Sequence, residues 1–131
     1  MPVIPTHPWV TSAELGDVTI IRFDQPRLID DNQITLLGEV LYALADDSRR
    51  RKFVVSLAGV DVLSSAMVGK LIAMHKKIQG TGRRLALCSV CPTLARVFEI
   101  GGLKRVFTIA DDQTAAILAV GDQPAAEPRT P

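Results

Sequence analysis

Two adjacent serines, Ser64 and Ser65, stand in "VDVLSSAMVGKL", where an apolar run passes into a helical pattern that starts near Met67. A hydroxyl at such a junction has three possible uses. It can cap the helix by accepting a hydrogen bond from an unpaired first-turn N–H. It can carry a phosphate, because free N–H groups and the helix dipole both favour an anion there. It can attack an electrophile if a general base lies within reach. One serine suffices for a cap, which leaves the other in surplus. The nucleophilic use lacks its parts: Leu63, Ser64, Ser65, Ala66 and Met67 do not form a G-x-S-x-G elbow, and His75 lies ten residues, nearly three helical turns, past Ser65. His7 belongs to an N-terminal segment of loose composition. No catalytic residue is expected.

Two other clusters could carry chemistry. Cys88 and Cys91 form "CSVC", a spacing used by redox pairs and zinc sites. Structural zinc wants four ligands, and the chain adds only His7 and His75, without finger-like spacing. Cys88 also falls inside the apolar run "RLALCSV", so a buried small side chain followed by a residue at the mouth of the next helix is the plainer reading. The run "DDSRRRK" could suggest a phosphate patch, but it lacks interleaved aromatics, and cations near a helix C-terminus are favourable, so a solvated helix end and loop is the preferred reading. Neither a Walker-type loop nor a carboxylate cluster is present, so no cofactor or metal is expected.

Composition bounds the rest. The 131 residues, 47% of them hydrophobic, are enough for one domain with one core. Fifteen basic against fourteen acidic side chains give a net charge of +1, too little to hold a long polyanion, so nucleic acid is not an expected direct partner. Charge interrupts every apolar stretch before the roughly eighteen residues needed to span a bilayer, and residues 1–10 do not read as a targeting signal. A cytoplasmic protein without membrane contact is expected.

The elements that must position the serines follow from periodicity. "WVTSAELGDVTIIRF" reads as a hairpin around Gly16-Asp17. Ile34, Leu37, Leu41 and Leu44 form one stripe of a helix over about 29–45, with Gln33, Glu39 and Asp46 outward. "FVVSLAGV" is a covered strand, and Met67, Leu71, Met74 and Ile78 mark a second helix that "QGTGRR" stops. Those methionines suit either the core or a contact surface. "RLALCSV" is a strand, "PTLARVFEI" a proline-led helix with Leu94, Val97 and Phe98 on its apolar face, "LKRVFTIA" a strand, and "DDQTAAILAV" a last helix. Phe98 and Phe107 are assigned to the core. Strands alternating with helices call for an α/β fold: a mixed, mainly parallel sheet with an N-terminal hairpin and about four helices. The expected organisation is an extension over 1–8, a domain over 9–120, and a disordered tail over 121–131, where "GDQPAAEPRTP" is proline-rich and short of large apolar groups.

"SLAGVDVLSSAMVGKL", "GRRLALCSVCPTLARVFEIGGLKRVFTI" and "DDQTAAILAV" together resemble the STAS domain, the domain of sulfate transporters and anti-sigma factor antagonists. The resemblance runs from about Trp9 to Val120, and the length is similar to stand-alone bacterial antagonists. Against the family stretch L-S-G-V-x-x-I-D-S-S-G-L-G-x-L, Leu57, Gly59, Val60, Ser65, Val68, Gly69 and Leu71 match or are close substitutions. The resemblance implies a partner switch. The unmodified chain binds an anti-sigma factor that is also a serine kinase, phosphorylation at Ser65 ends that binding, and a serine phosphatase resets it. It further implies a docking surface of Ser64, Ser65, Ala66, Met67 and Gly69, with an acidic contribution from Asp30, or alternatively Asp31, at the start of the first helix. The chain departs from the family pattern with Ser64 in place of its aspartate, Ala66 in place of its second serine or threonine, and Met67 in place of its glycine. Ser64 thereby becomes a second candidate acceptor. The alternative is a STAS module that is not phosphorylated and serves as a scaffold or binds a small anion at the same helix end.

Overall fold

The structure, a computed structural model, describes residues 9–121. The expected extension over 1–8 lies outside them, as does the expected tail apart from Gly121. Strands β1 (Val10–Leu15) and β2 (Val18–Phe23) form the hairpin, and β2 leads through a short strand β3 (Arg27–Leu28) into helix α1 (Asp31–Asp46). Then come β4 (Lys52–Ser56), short β5 (Val62–Leu63), α2 (Ser65–Gln79), β6 (Arg84–Cys88), α3 (Pro92–Ile100), a 3-10 turn (Leu103–Arg105), β7 (Thr108–Ala110) and α4 (Gln113–Val120). The main sheet has the order β1-β2-β4-β6-β7. Only β1–β2 is antiparallel. This is the mixed sheet that the alternating pattern called for.

The sheet is covered unequally. On one face Ile21, Phe23, Phe53, Val55, Leu85 and Leu87 pack against the inner residues of α1, α2 and α3. On the other, Val18, Ile20, Val54, Ala86 and Cys88 meet only Ala116, Ile117 and Val120 of α4. Alternate residues of β4 therefore enter two different cores, and Phe53, Val54 and Val55 are each fully buried. Met67, Met74, Phe98 and Phe107 are core residues as well.

Several local expectations are corrected. "LKRVFTIA" is not one strand: Gly102, at φ 72, bends the chain into the 3-10 turn, and Phe107 turns inward to stack on Phe98, with ring centroids 6.3 Å apart. Gln33 is buried rather than outward, because it precedes Leu37 by four residues and so shares its face. Val97 is 48% exposed, because the short α3 spends its inner face on Leu94 and Phe98. Cys88 is buried, half-buried Cys91 is the N-cap of α3, and both are free thiols.

Arg83 is the least expected core residue. Its side chain lies over the Phe53 ring, 5.8 Å from guanidinium carbon to ring centroid. It donates from Nη2 to Ala45 O at 2.7 Å, from Nη1 to Arg50 O at 3.0 Å, and from Nε to Thr81 Oγ1 at 2.6 Å. The last turn of α1 has no basic residue of its own, so Arg83 supplies the cation that its carbonyl end favours. Arg83→Met should lower unfolding free energy by about 3 kcal/mol, because it leaves buried carbonyls unpaired. Urea denaturation, with Arg51→Met as a near-neutral control, checks this.

His75 is buried, packs edge-on against Phe107 at 5.2 Å, and has no aligned hydrogen bond at either ring nitrogen. Burial holds its pKa below the ordinary value of 6.5. The unfolded chain binds this proton at a pH where the native chain does not. Stability should therefore fall as pH drops below about 6.5 and level off below the native value. Thermal unfolding across pH 5–8 should show this dependence, and His75→Leu should flatten it.

Candidate functional site

The serine junction begins with a turn. After β4 the chain closes over Leu57–Val60, with Val60 N–H donating to Leu57 O at 3.0 Å and Gly59 at φ 82, a conformation that L side chains rarely adopt. The turn re-aims the chain into β5, which pairs in parallel with β3: Arg27 faces Val62, and fully buried Leu28 faces Leu63. Pro26 O accepts from Asp61 N–H at 2.7 Å and from Val62 N–H at 3.1 Å, and Leu28 O accepts from Ser64 N–H at 3.0 Å.

This clip decides which residues meet. β3 runs within three residues into α1 and β5 within two into α2, so the N-termini of both helices are held side by side. Asp30 and Asp31 come to the same end of the molecule as Ser64 and Ser65. Neither two-residue strand has a period that sequence reading can detect. The apolar neighbours Ile29 and Val62, 42% and 37% exposed, were missed for the same reason.

The two serines have different jobs. Ser64 is the N-cap of α2, in extended conformation, and its Oγ accepts from Met67 N–H at 3.1 Å. Ser65 is the first helical residue and is exposed. Asp30 and Asp31 repeat the division: Asp30 caps α1 by accepting from Gln33 N–H at 3.0 Å, while exposed Asp31 lies in the first turn. The first turn of α2 carries no acidic side chain, so its positive dipole end is uncompensated.

The remaining candidates separate. Ala66 and Gly69 are exposed, and Gly69 follows Ser65 by four residues on the same helix face. A Cβ added at Gly69 would meet nothing within 4 Å. Met67, expected on the docking surface, is instead fully buried. It belongs to the stripe shared with Leu71, Met74 and Ile78, which α2 turns toward the sheet, so it shapes the site only from beneath. Lys70 reaches the other way, across Gly38 of α1 toward the ring of Tyr42, with Nζ 5.6 Å from the centroid.

Among the described residues, no group of three or more His, Cys, Asp or Glu is placed to hold a metal ion, and no helix is long and apolar enough to cross a membrane.

The division of labour predicts an asymmetry. Ser64→Ala should destabilise the fold by about 1 kcal/mol, whereas Ser65→Ala should change stability by only a few tenths. Chemical denaturation of the two variants reads the difference directly. Equal costs would show that the cap is not confined to Ser64.

Comparison with known proteins agrees with this architecture. The chain is 32% identical over 73 residues to a protein described as the putative anti-sigma factor antagonist BtrV of Bordetella bronchiseptica, an alignment covering 56% of this chain and 63% of that protein. It thus spans less than two thirds of the curated relatives it matches. An anti-sigma-factor antagonist (STAS) domain protein from Planctomyces limnophilus superposes with a TM-score of 0.76 at 23% identity, over 86% of this chain and 97% of the other. The Bacillus cell fate determinant SpoIIAA in its phosphorylated form superposes with a TM-score of 0.66 at 17% identity, over 86% and 99%. Residues 10–116, which contain both helix starts, the β3–β5 clip and the sheet beneath them, match the STAS domain family, and the chain belongs to that family.

Proposed function

We propose that the chain is an anti-sigma factor antagonist that works by partner switching, with Ser65 as the phosphorylated residue. One observation carries the reading: of two adjacent serines, Ser64 is committed to capping α2, while Ser65 is exposed at the same positive helix end. A phosphate on Ser65 would add a charge of about −1.5 to −2 where the helix dipole favours it, so the fold tolerates the modification. The names of the relatives support the antagonist role, and the structure of a phosphorylated fold neighbour supports the regulation.

The docking surface consists of exposed Ser65, Ala66 and Gly69 on α2 and Asp30 and Asp31 at the head of α1, with Ile29 and Val62 supplying apolar area. Its partner is an anti-sigma factor with serine kinase activity, and a serine phosphatase restores the binding form. The new negative charge ends the complex through repulsion and through the cost of desolvating a phosphate in the contact. The chain itself is not an enzyme in this reading, needs no cofactor, contacts neither nucleic acid nor membrane, and acts in the cytoplasm. The domain spans 9–120 in this reading.

Titration calorimetry against a purified kinase-type anti-sigma factor from the same organism tests the surface. Ser65→Glu should weaken the complex about tenfold or more while the circular dichroism spectrum stays unchanged. Gly69→Arg should block the complex in a folded protein, because the space above Gly69 is open. Full-strength binding by both folded variants would contradict the reading.

A further inference from the structure

The opposite end of the sheet, at the start of the parallel strands, carries a second feature. The β1–β2 turn, the α1–β4 connection, the first residues of β4 and β6 and the end of α4 enclose an open cleft of about 480 Å³. Five cations line it, Arg49, Arg50, Arg51, Lys52 and Arg84, against two carboxylates, Glu14 and Asp17. The whole chain has a net charge of only +1, so this end concentrates positive charge that the rest of the molecule offsets.

The cations are not equivalent. Arg50, with its side chain 14% exposed, donates to Glu14 at 2.7 Å and to Thr19 at 3.0 Å and lies 3.2 Å from Asp47. Lys52 pairs with Asp17, and Arg49 pairs with Asp47 at 3.2 Å. These contacts hold both aspartates below the usual carboxylate range. Arg51 and Arg84 have no carboxylate partner among the described residues. Arg84 donates from Nη1 to the Gly121 carbonyl, and it faces Lys52 in the β4–β6 register, so both side chains leave the same side of the sheet.

A planar guanidinium presents paired donors that match two oxygens of one phosphate. No aromatic side chain lines the cleft, so a nucleobase finds no stacking platform there. The positive charge is gathered in a concavity rather than spread as a stripe, which suits a short anion better than a polymer.

We propose that this cleft binds a compact oligophosphate, held chiefly by Arg51 and Arg84 with Lys52 and Arg49 beside them. The lining favours a free pyrophosphate-type anion over a nucleotide, whose base would gain no contact there. The site is independent of Ser65, which lies at the other end of the strands.

Isothermal titration of the full chain with inorganic pyrophosphate, and separately with ADP, tests this. Saturable one-to-one binding is expected, with amide NMR shifts gathered at residues 14–19, 49–52 and 82–84. The Arg51→Gln/Arg84→Gln variant should lose about tenfold or more in affinity and remain folded by circular dichroism, while Lys104→Gln binds as the parent does. Pyrophosphate binding as tight as ADP or tighter is expected, because no lining residue can stack on a base; markedly tighter ADP binding would overturn the assignment to a free oligophosphate. The proposal is overturned by an absence of saturable binding, by an equal loss in Lys104→Gln, or by binding that the double variant leaves intact.

Discussion

The central strand is buried on both sides, and the rest of the molecule is built around that constraint. Phe53 and Val55 enter the core under three helices, and Val54 enters the core under α4. A slip of one residue would exchange the two sets, so the register of β4 against β2 and β6 is fixed by packing on both faces. Because these neighbours are parallel, each connection must cross the sheet's length, and α1 and α2 are those crossovers. The point at which α2 starts is therefore set by where β4 ends and by the Leu57–Val60 turn that follows it.

The β3–β5 clip converts that placement into a shared surface. Few residues are involved, but Leu28 is fully buried and the Pro26 and Leu28 carbonyls accept three N–H groups from 61, 62 and 64. The head of α1 cannot drift from the head of α2 without exposing Leu28 and breaking those bonds. Within this frame, Ser64 and Asp30 are spent on holding the helix ends, and Ser65 and Asp31 stand beside them with side chains in solvent. Ser65 and Asp31 are thereby left out of the capping, and a charge can be added at Ser65 without removing a cap.

Much of the fold was legible because burial leaves a periodic trace. The stripe Ile34, Leu37, Leu41, Leu44 and the proline-led start and glycine-marked end of α3 lie where their spacing put them. Legibility failed where burial was not periodic. Arg83 reads as a loop cation after two glycines, and only the three-dimensional meeting of the α1 end with the α2–β6 turn makes it a buried hydrogen-bond hub. Met67 shows the reverse: set against a sequence pattern it looked like added bulk on the surface, but its place on the Leu71 stripe outweighs that position. For the site, two serines at a helix start could be seen in the sequence, but which of them was the cap could not, because either satisfies the same residue preference.

The proposed switch requires a phosphate on Ser65 and not on Ser64. Peptide mass spectrometry of the protein purified from its own cells, grown with and without stress, tests it most directly. Phosphate on Ser65 whose occupancy changes with growth condition, with Ser64 unmodified, is the expected result. Phosphate confined to Ser64, or neither serine modified under any condition, would contradict it and leave the pair as a helix start in an interaction module that is not switched by phosphorylation.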